Sequence, residues 1–207
     1  MIDTLVANLD RAVAKKPWET LGLKHREYAV ATIHRPSNVD DQSSLTQISS
    51  ILEATASRLP VVFPVHPRTR QLVLSLERDL PSVMMTEPFG YLSFLGLIAG
   101  SKLVMTDSGG IQEETTKLGV PCLTLRENTE RPITVSEGTN RLVGRNLDTV
   151  LHHVDRVIKN PPEARCPQLW DGKAAERIAS SLLGIDTRSF GHPTSLDGKE
   201  FIGGYGG

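Results

Sequence analysis

The stretch that most limits what this chain can fold into is Lys102 to Gly119, KLVMTDSGGIQEETTKLG. Leu103, Val104 and Met105 form an apolar run too short for a helix, and Thr106-Asp107-Ser108-Gly109-Gly110 is a tight turn. A helix then opens at Gly110. A strand that feeds a glycine turn and then a helix is an anion site in outline. The amides of a helix's first turn have no intrahelical partner, and the macrodipole leaves roughly half a positive charge there. Gly109 and Gly110 let a ligand oxygen approach the backbone, and Ser108 adds a hydroxyl donor. Glu114 stands four residues past Gly110, one helical turn in, where a carboxylate accepts hydrogen bonds from a sugar diol. The combination suggests a nucleoside diphosphate. Neither G-x-x-x-x-G-K-[ST] nor G-x-G-x-x-G occurs, so spacing alone leaves a tight turn with an N-cap open as the other reading.

The rest of the chain repeats the strand-and-helix unit. Ile2, Leu5, Leu9 and Val13 keep helical spacing, so the chain begins directly in a helix. Short apolar runs at 28–33, 61–65, 82–86, 120–125 and 140–144 read as strands. Helices are expected from Ser43 or Ser44, over 69–80, over 92–99, from a cap at Asp148, and from a cap at Asp171 with Ala175, Ile178 and Leu182 inward. Apolar strands alternating with helices indicate a doubly wound parallel sheet, a Rossmann-like α/β fold. Ligands bind such sheets outside the carboxyl ends of the strands. His34-Arg35, His66-Pro67-Arg68, Ser108-Gly109-Gly110 and Thr129-Glu130-Arg131 each follow a strand, so all four clusters fall on one rim. The domain spans 1–184. The tail, 185–207, is rich in glycine, lacks apolar periodicity, and reads as extended or disordered.

Composition excludes several classes. A net charge of −1 with no Lys/Arg stripe argues against nucleic acid as a partner. No run reaches the ~20 apolar residues of a membrane span. Two cysteines, Cys122 and Cys166, supply neither a disulfide framework nor a metal site, which fits a reducing cytoplasm.

Thr106-Asp107-Ser108-Gly109-Gly110-Ile111-Gln112-Glu113-Glu114 resembles the signature of the non-hydrolysing UDP-N-acetylglucosamine 2-epimerases. The likeness continues through Leu118-Gly119-Val120-Pro121, Thr129-Glu130-Arg131-Pro132, Gly138-Thr139-Asn140, the His34-Arg35 loop and Pro64-Val65-His66-Pro67, and covers about Ile2 to Leu183. It implies the C-terminal half of a GT-B-like pair of Rossmann domains. The implied chemistry is interconversion of UDP-GlcNAc and UDP-ManNAc, by loss of the C2 proton and of UDP followed by re-addition. No cofactor or metal is called for.

By the same resemblance, Ser108, Gly109 and Gly110 bind the diphosphate and Glu114 the ribose. Phe94 contacts uracil or is simply a core side chain, and both readings stand. His34 serves catalysis, Arg131 adds charge near the phosphates, and Arg35 with His66 match positions that hold a second, activating UDP-GlcNAc in some bacterial members. Two departures matter. Pro36-Ser37-Asn38 stands where many members carry a glutamate, and the family's acid/base carboxylates lie on an N-terminal domain outside this sequence. Within it, Glu130 is the nearest, weak substitute. The expected partners are therefore UDP-GlcNAc or UDP, that N-terminal domain, and a second copy of the chain as a homodimer through the face left open. Two other functions fit the same residues: a UDP-sugar-binding module without catalysis, and the nucleotide half of a GT-B glycosyltransferase.

Overall fold

The computed structural model describes residues 1–65, 69–70 and 80–184. His66, most of the helix expected over 69–80, and the 185–207 tail lie outside the described residues. The helices are α1 (Ile2–Val13), α2 (Pro17–Thr20), α3 (Pro36–Val39), α4 (Gln42–Ala56), α5 (Tyr91–Ala99), α6 (Gly109–Leu118), α7 (Ile133–Ser136), α8 (Leu147–Lys159) and α9 (Ala174–Leu182). The strands are β1 (Ala29–Thr32), β2 (Val61–Pro64), β3 (Val83–Thr86), β4 (Leu103–Thr106), β5 (Cys122–Thr124) and β6 (Asn140–Leu142).

All six strands join one sheet in the order β3-β2-β1-β4-β5-β6, and every pairing is parallel. Strand order reverses between β1 and β4, where Ala29 to Thr32 run in register with Leu103 to Thr106. A crevice opens at such a switch point, on the side where the strands end. The short strands are buried on both faces because alternate residues point to opposite layers. Ala29, Ala31, Phe63 and Met105 pack with Ile48 and Leu52 of α4 and Val150 and Val154 of α8. Val30, Val62 and Val104 pack on the other side with Trp18, Tyr28, Leu97 and Ile98.

That second layer is tight. A Cβ on Gly96 of α5 would lie 2.3 Å from the Ala12 carbonyl oxygen of α1 and 3.2 Å from Pro17 Cδ. Two helix backbones meet there with no room for a methyl group. Gly96→Ala is therefore expected to cost about 1–3 kcal/mol of stability. Thermal unfolding checks this, and an unchanged Tm would mean that α1 yields freely.

The sequence placed the elements within one or two residues, with some corrections. α6 opens at Gly109, one residue early, with Ser108 as N-cap. The loops after β1 and β5 contain the helical turns α3 and α7, the first started by Pro36 at its N1 position. Asn146, not Asp148, caps α8 by accepting the Thr149 amide at 3.0 Å. Lys173, not Asp171, precedes α9, and no side chain caps that helix. The compact unit Met1–Gly172 holds the whole sheet, and a second begins at Lys173. In that second unit Ala175, Ile178 and Leu182 are exposed and not inward, so the helical spacing of these apolar residues does not mark a buried face. No helix among the described residues is long and apolar enough to cross a membrane.

Candidate functional site

At the switch point between β1 and β4, the first turn of α6 follows directly on the end of β4. Ser108 caps this helix by position only, since its hydroxyl makes no cap hydrogen bond. The orphan amides of the turn thus remain for a ligand. Gly109 and Gly110 do not have positive φ, so backbone conformation does not demand glycine at either. Crowding does not demand it either. A Cβ on Gly109 would find its nearest atoms at 3.8 Å (Arg131 Cγ) and 3.9 Å (Glu130 Oε2), and one on Gly110 at 3.4 Å (Met1 Cε), all ordinary contacts. What remains as a reason for glycine is close approach by something that is not part of the chain.

Asp107 directly follows β4 and is completely buried. Its carboxylate gathers the loop that follows β1. The amide of His34 donates to Oδ1 and Oδ2 at 3.2 and 3.1 Å, and the amide of Arg35 donates to Oδ2 at 2.9 Å. The Asn38 side chain donates to Oδ2 at 3.0 Å, and His34 Nδ1 sits 3.2 Å from Oδ1. One side chain thereby fixes the histidine loop against the glycine turn. Sequence reading took Asp107 for a turn residue and missed this role.

The loop after β5 is held by a second buried set of polar groups. Thr129 Oγ1 donates to Gln112 Oε1 at 2.5 Å, tying the loop to α6. Asn140 Nδ2 donates to the same Gln112 oxygen at 3.1 Å and to Thr134 Oγ1 at 3.0 Å, while Thr124 Oγ1 donates to Asn140 Oδ1 at 2.6 Å. This explains why Thr129 and Asn140 belong to the patterns seen in the sequence: they carry the loop to its place over α6. Arg131 arrives with its Nε 2.9 Å from Glu113 Oε1, an ion pair whose angle falls outside hydrogen-bond geometry.

Glu130 is gripped from two sides. Arg126 holds it through two contacts of 2.8 Å, and Arg35 reaches across from the β1 loop at 3.2 and 3.4 Å. The Arg126 hydrogen bonds and charge, with Arg35 behind them, hold its carboxyl far below the usual range. A carboxylate so placed is a poor proton acceptor near neutral pH, which removes Glu130 as a substitute acid/base group.

Glu114 has the opposite character. It is buried on α6, and burial, reinforced by the neighbouring Glu113 charge, pushes its carboxyl up, with the Met1 amine acting weakly in the other direction. Tyr91, exposed at the start of α5, is close enough for the Glu114 charge to add to burial in raising its phenol. Phe94 is half-buried and packs with the Trp18–Tyr28 layer, where a core role is satisfied and part of the ring stays accessible. Cys122 is buried, its thiol pushed up to about 11 by burial, and is chemically quiet. The structure thus brings His34, Arg35, Ser108, Gly109, Gly110, Glu114 and Arg131 to one rim.

Residues 1–183 match the family model described as UDP-N-acetylglucosamine 2-epimerase. The chain belongs to this family. It is 36% identical over 169 residues to the UDP-N-acetylglucosamine 2-epimerase of Methanococcus maripaludis, covering 78% of this chain and 46% of that relative. A Pseudomonas aeruginosa relative, UDP-2,3-diacetamido-2,3-dideoxy-D-glucuronate 2-epimerase, is 36% identical over 171 residues, 82% of this chain and 48% of its own. The solved UDP-GlcNAc 2-epimerase of Methanocaldococcus jannaschii superposes with a TM-score of 0.74 at 32% identity, over 88% of this chain and 54% of that one. The same organism's enzyme in complex with UDP-GlcNAc and UDP gives 0.72 at 30% identity, over 87% and 52%. The chain thus spans about half the length of the epimerase-family relatives it matches, the half that is C-terminal in them.

Proposed function

We propose that this chain supplies the UDP-binding half of a UDP-N-acetylglucosamine 2-epimerase, which removes the C2 proton with loss of UDP and then adds UDP back. The observation that carries the reading is α6's first turn: uncapped amides and two glycines that the chain's own packing does not require, with a buried carboxylate one turn further in. In this reading the diphosphate lies on Ser108, Gly109 and Gly110, the ribose hydroxyls donate to Glu114, and Arg131 adds positive charge beside them. The relative in complex with UDP-GlcNAc and UDP supports the ligand class. Phe94 is the side chain proposed to meet uracil. Arg35 and His66 keep the proposal of a second, activating UDP-GlcNAc.

The proton at sugar C2 needs a general base within hydrogen-bond reach. The rim's carboxylates have other duties: Glu113 and Glu130 are paired with arginines, Asp107 is tied to the β1 loop, and buried Glu114 is the group this reading assigns to the ribose. The acid/base work therefore falls to the N-terminal half of the GT-B-like arrangement, and the isolated chain binds without turnover. The same pairing of rim carboxylates favours a second reading, a UDP-sugar-binding module. Mixing this chain with a separately produced N-terminal half and following UDP-ManNAc by NMR separates the two. Epimerisation by the mixture supports the enzyme. A stable complex with no turnover favours the module, and turnover by the chain alone would place the base within it. Sedimentation of the chain tests the proposed homodimer.

Glu114 makes the ribose assignment testable by pH. Its raised carboxyl means that free protein holds a proton above the ordinary carboxylate range that the ribose-bound carboxylate must release. UDP affinity is therefore expected to rise with pH through the Glu114 titration and to lose that dependence in Glu114→Gln, with weaker binding throughout. Stability runs the other way. A raised folded-state value means that the folded form binds more protons above the unfolded carboxyl's range, so burial of the charge costs stability as pH rises there, and Glu114→Gln relieves it. Calorimetric titration with UDP at several pH values checks the first sign, and thermal unfolding of both proteins over the same pH range checks the second.

A further inference from the structure

We propose that Asp107 is the positioning residue for His34: it fixes which imidazole nitrogen carries the proton and leaves Nε2 as the nitrogen offered to the bound nucleotide. The functional half of this inference rests on the UDP reading above.

Two observations carry it. Asp107 is wholly buried just after β4, while the His34 side chain is 57% exposed and meets it through Nδ1 alone, a charge contact 3.2 Å from Oδ1 whose angle falls outside hydrogen-bond geometry. Among the described residues nothing engages Nε2. A carboxylate is acceptor-only, so the neutral ring facing it carries its hydrogen on Nδ1 and keeps the Nε2 lone pair. When the ring is protonated, Nε2 becomes a donor on the accessible side. The ring thus offers one defined nitrogen, able to accept or donate, at the mouth of the crevice.

The second observation is what else the carboxylate holds. Oδ2 is claimed by the Arg35 amide at 2.9 Å and by the Asn38 side chain at 3.0 Å, and the His34 amide spans both oxygens. The ring faces the same group that holds its own backbone, which sets where Nε2 lies relative to the glycine turn that follows Asp107. The arrangement also predicts what an amide would do at this position. With two donors on the Oδ2 side, the amide oxygen of Asp107→Asn must sit there. Its NH2 then faces His34 Nδ1 and demands a lone pair, which drives the hydrogen to Nε2. Inverting an imidazole's tautomer in this way disables a histidine without disturbing its location.

The test is nitrogen-15 NMR of the imidazoles, which reports directly which nitrogen is protonated, on the full chain with and without UDP. In the wild type, neutral His34 is expected predominantly in the Nδ1–H form, because the alternative aims a lone pair at the carboxylate. Asp107→Asn inverts that preference. Asn38→Ala, which loosens the loop but leaves the carboxylate, keeps the wild-type tautomer, so a merely structural effect is told apart. UDP is expected to shift the His34 Nε2 resonance in the wild type and to lose that effect in Asp107→Asn even where calorimetry still detects binding. A wild-type Nε2–H tautomer overturns the proposal and needs no variant to fold. So does an unchanged UDP response in Asp107→Asn. UDP that binds without touching the Nε2 resonance overturns the role of His34 while sparing the UDP reading. No UDP binding at all sinks both that reading and the functional half here, with the tautomer still deciding whether Asp107 sets the ring.

Discussion

Gly109→Ala is expected to weaken UDP binding at least about tenfold, roughly 1.4 kcal/mol, while leaving the protein as stable as before or slightly more so. The two halves of this expectation have separate causes. Gly109 opens α6, and alanine is a better helix residue than glycine by up to about 1 kcal/mol, an upper limit at a helix end. The new methyl meets nothing of the chain nearer than 3.8 Å. Folding therefore gains or stays even. A phosphate oxygen, however, must come within hydrogen-bond distance of the amides beneath that methyl, and it is held off. Parallel thermal unfolding and calorimetric titration of both proteins check this. Equal affinities would return the Gly109-Gly110 pair to the status of an ordinary turn.

Asn140→Ala is expected to lower the unfolding free energy by about 3–5 kcal/mol, since it strands several buried groups at a cost of about 1–3 kcal/mol each. Gln112 loses one of its two donors, Thr134 loses its acceptor role, and the Thr124 hydroxyl loses its acceptor at 2.6 Å. None of the three has water to turn to, because Gln112, Thr124 and Thr134 are fully buried. Urea unfolding measures the loss, and a change within 0.5 kcal/mol, the ordinary range for a surface substitution, would show the network to be slack. A protein of ordinary stability has only about 5–15 kcal/mol in total, so the variant should also show earlier detachment of the β5 loop that bears Arg131.

These two sites differ in how openly the sequence declares them. The glycine pair was legible because anion binding at a helix start depends on consecutive residues, and the strand, turn and helix that make it are contiguous. The sheet was legible for a similar reason: runs such as Ala29-Val30-Ala31 and Val61-Val62-Phe63 are apolar at every position, as burial on both faces requires. Asp107 was not legible as a hub, because its partners His34 and Asn38 stand 73 and 69 residues away and meet it only through the β1–β4 pairing. Glu130 misled for the same reason. Arg126, four residues earlier, has the larger hold on its carboxylate, and Arg35, 95 residues earlier, reaches across to add to it, which nothing local announces. Caps were misjudged by small margins. Asn146 and Asp148 both suit the start of α8, and only the turn geometry chooses between them.

The pairing of the rim arginines has a kinetic consequence. Among the described residues, Arg35 and Arg126 share Glu130, Arg131 faces Glu113, and Asp107 lies beneath, so these three guanidiniums are matched by three carboxylates, with Glu114 and its raised carboxyl a fourth. Seen from beyond a Debye length of about 8–10 Å, such a rim is nearly neutral. An anionic nucleotide is not drawn in from a distance, as it would be by an unpaired basic cleft. It meets the attraction of the site only on contact, when the amides of α6 take hold of it. Capture should then proceed at the unsteered pace of about 10⁵–10⁶ per molar per second and hardly change with added salt, so that affinity resides in how slowly the nucleotide leaves.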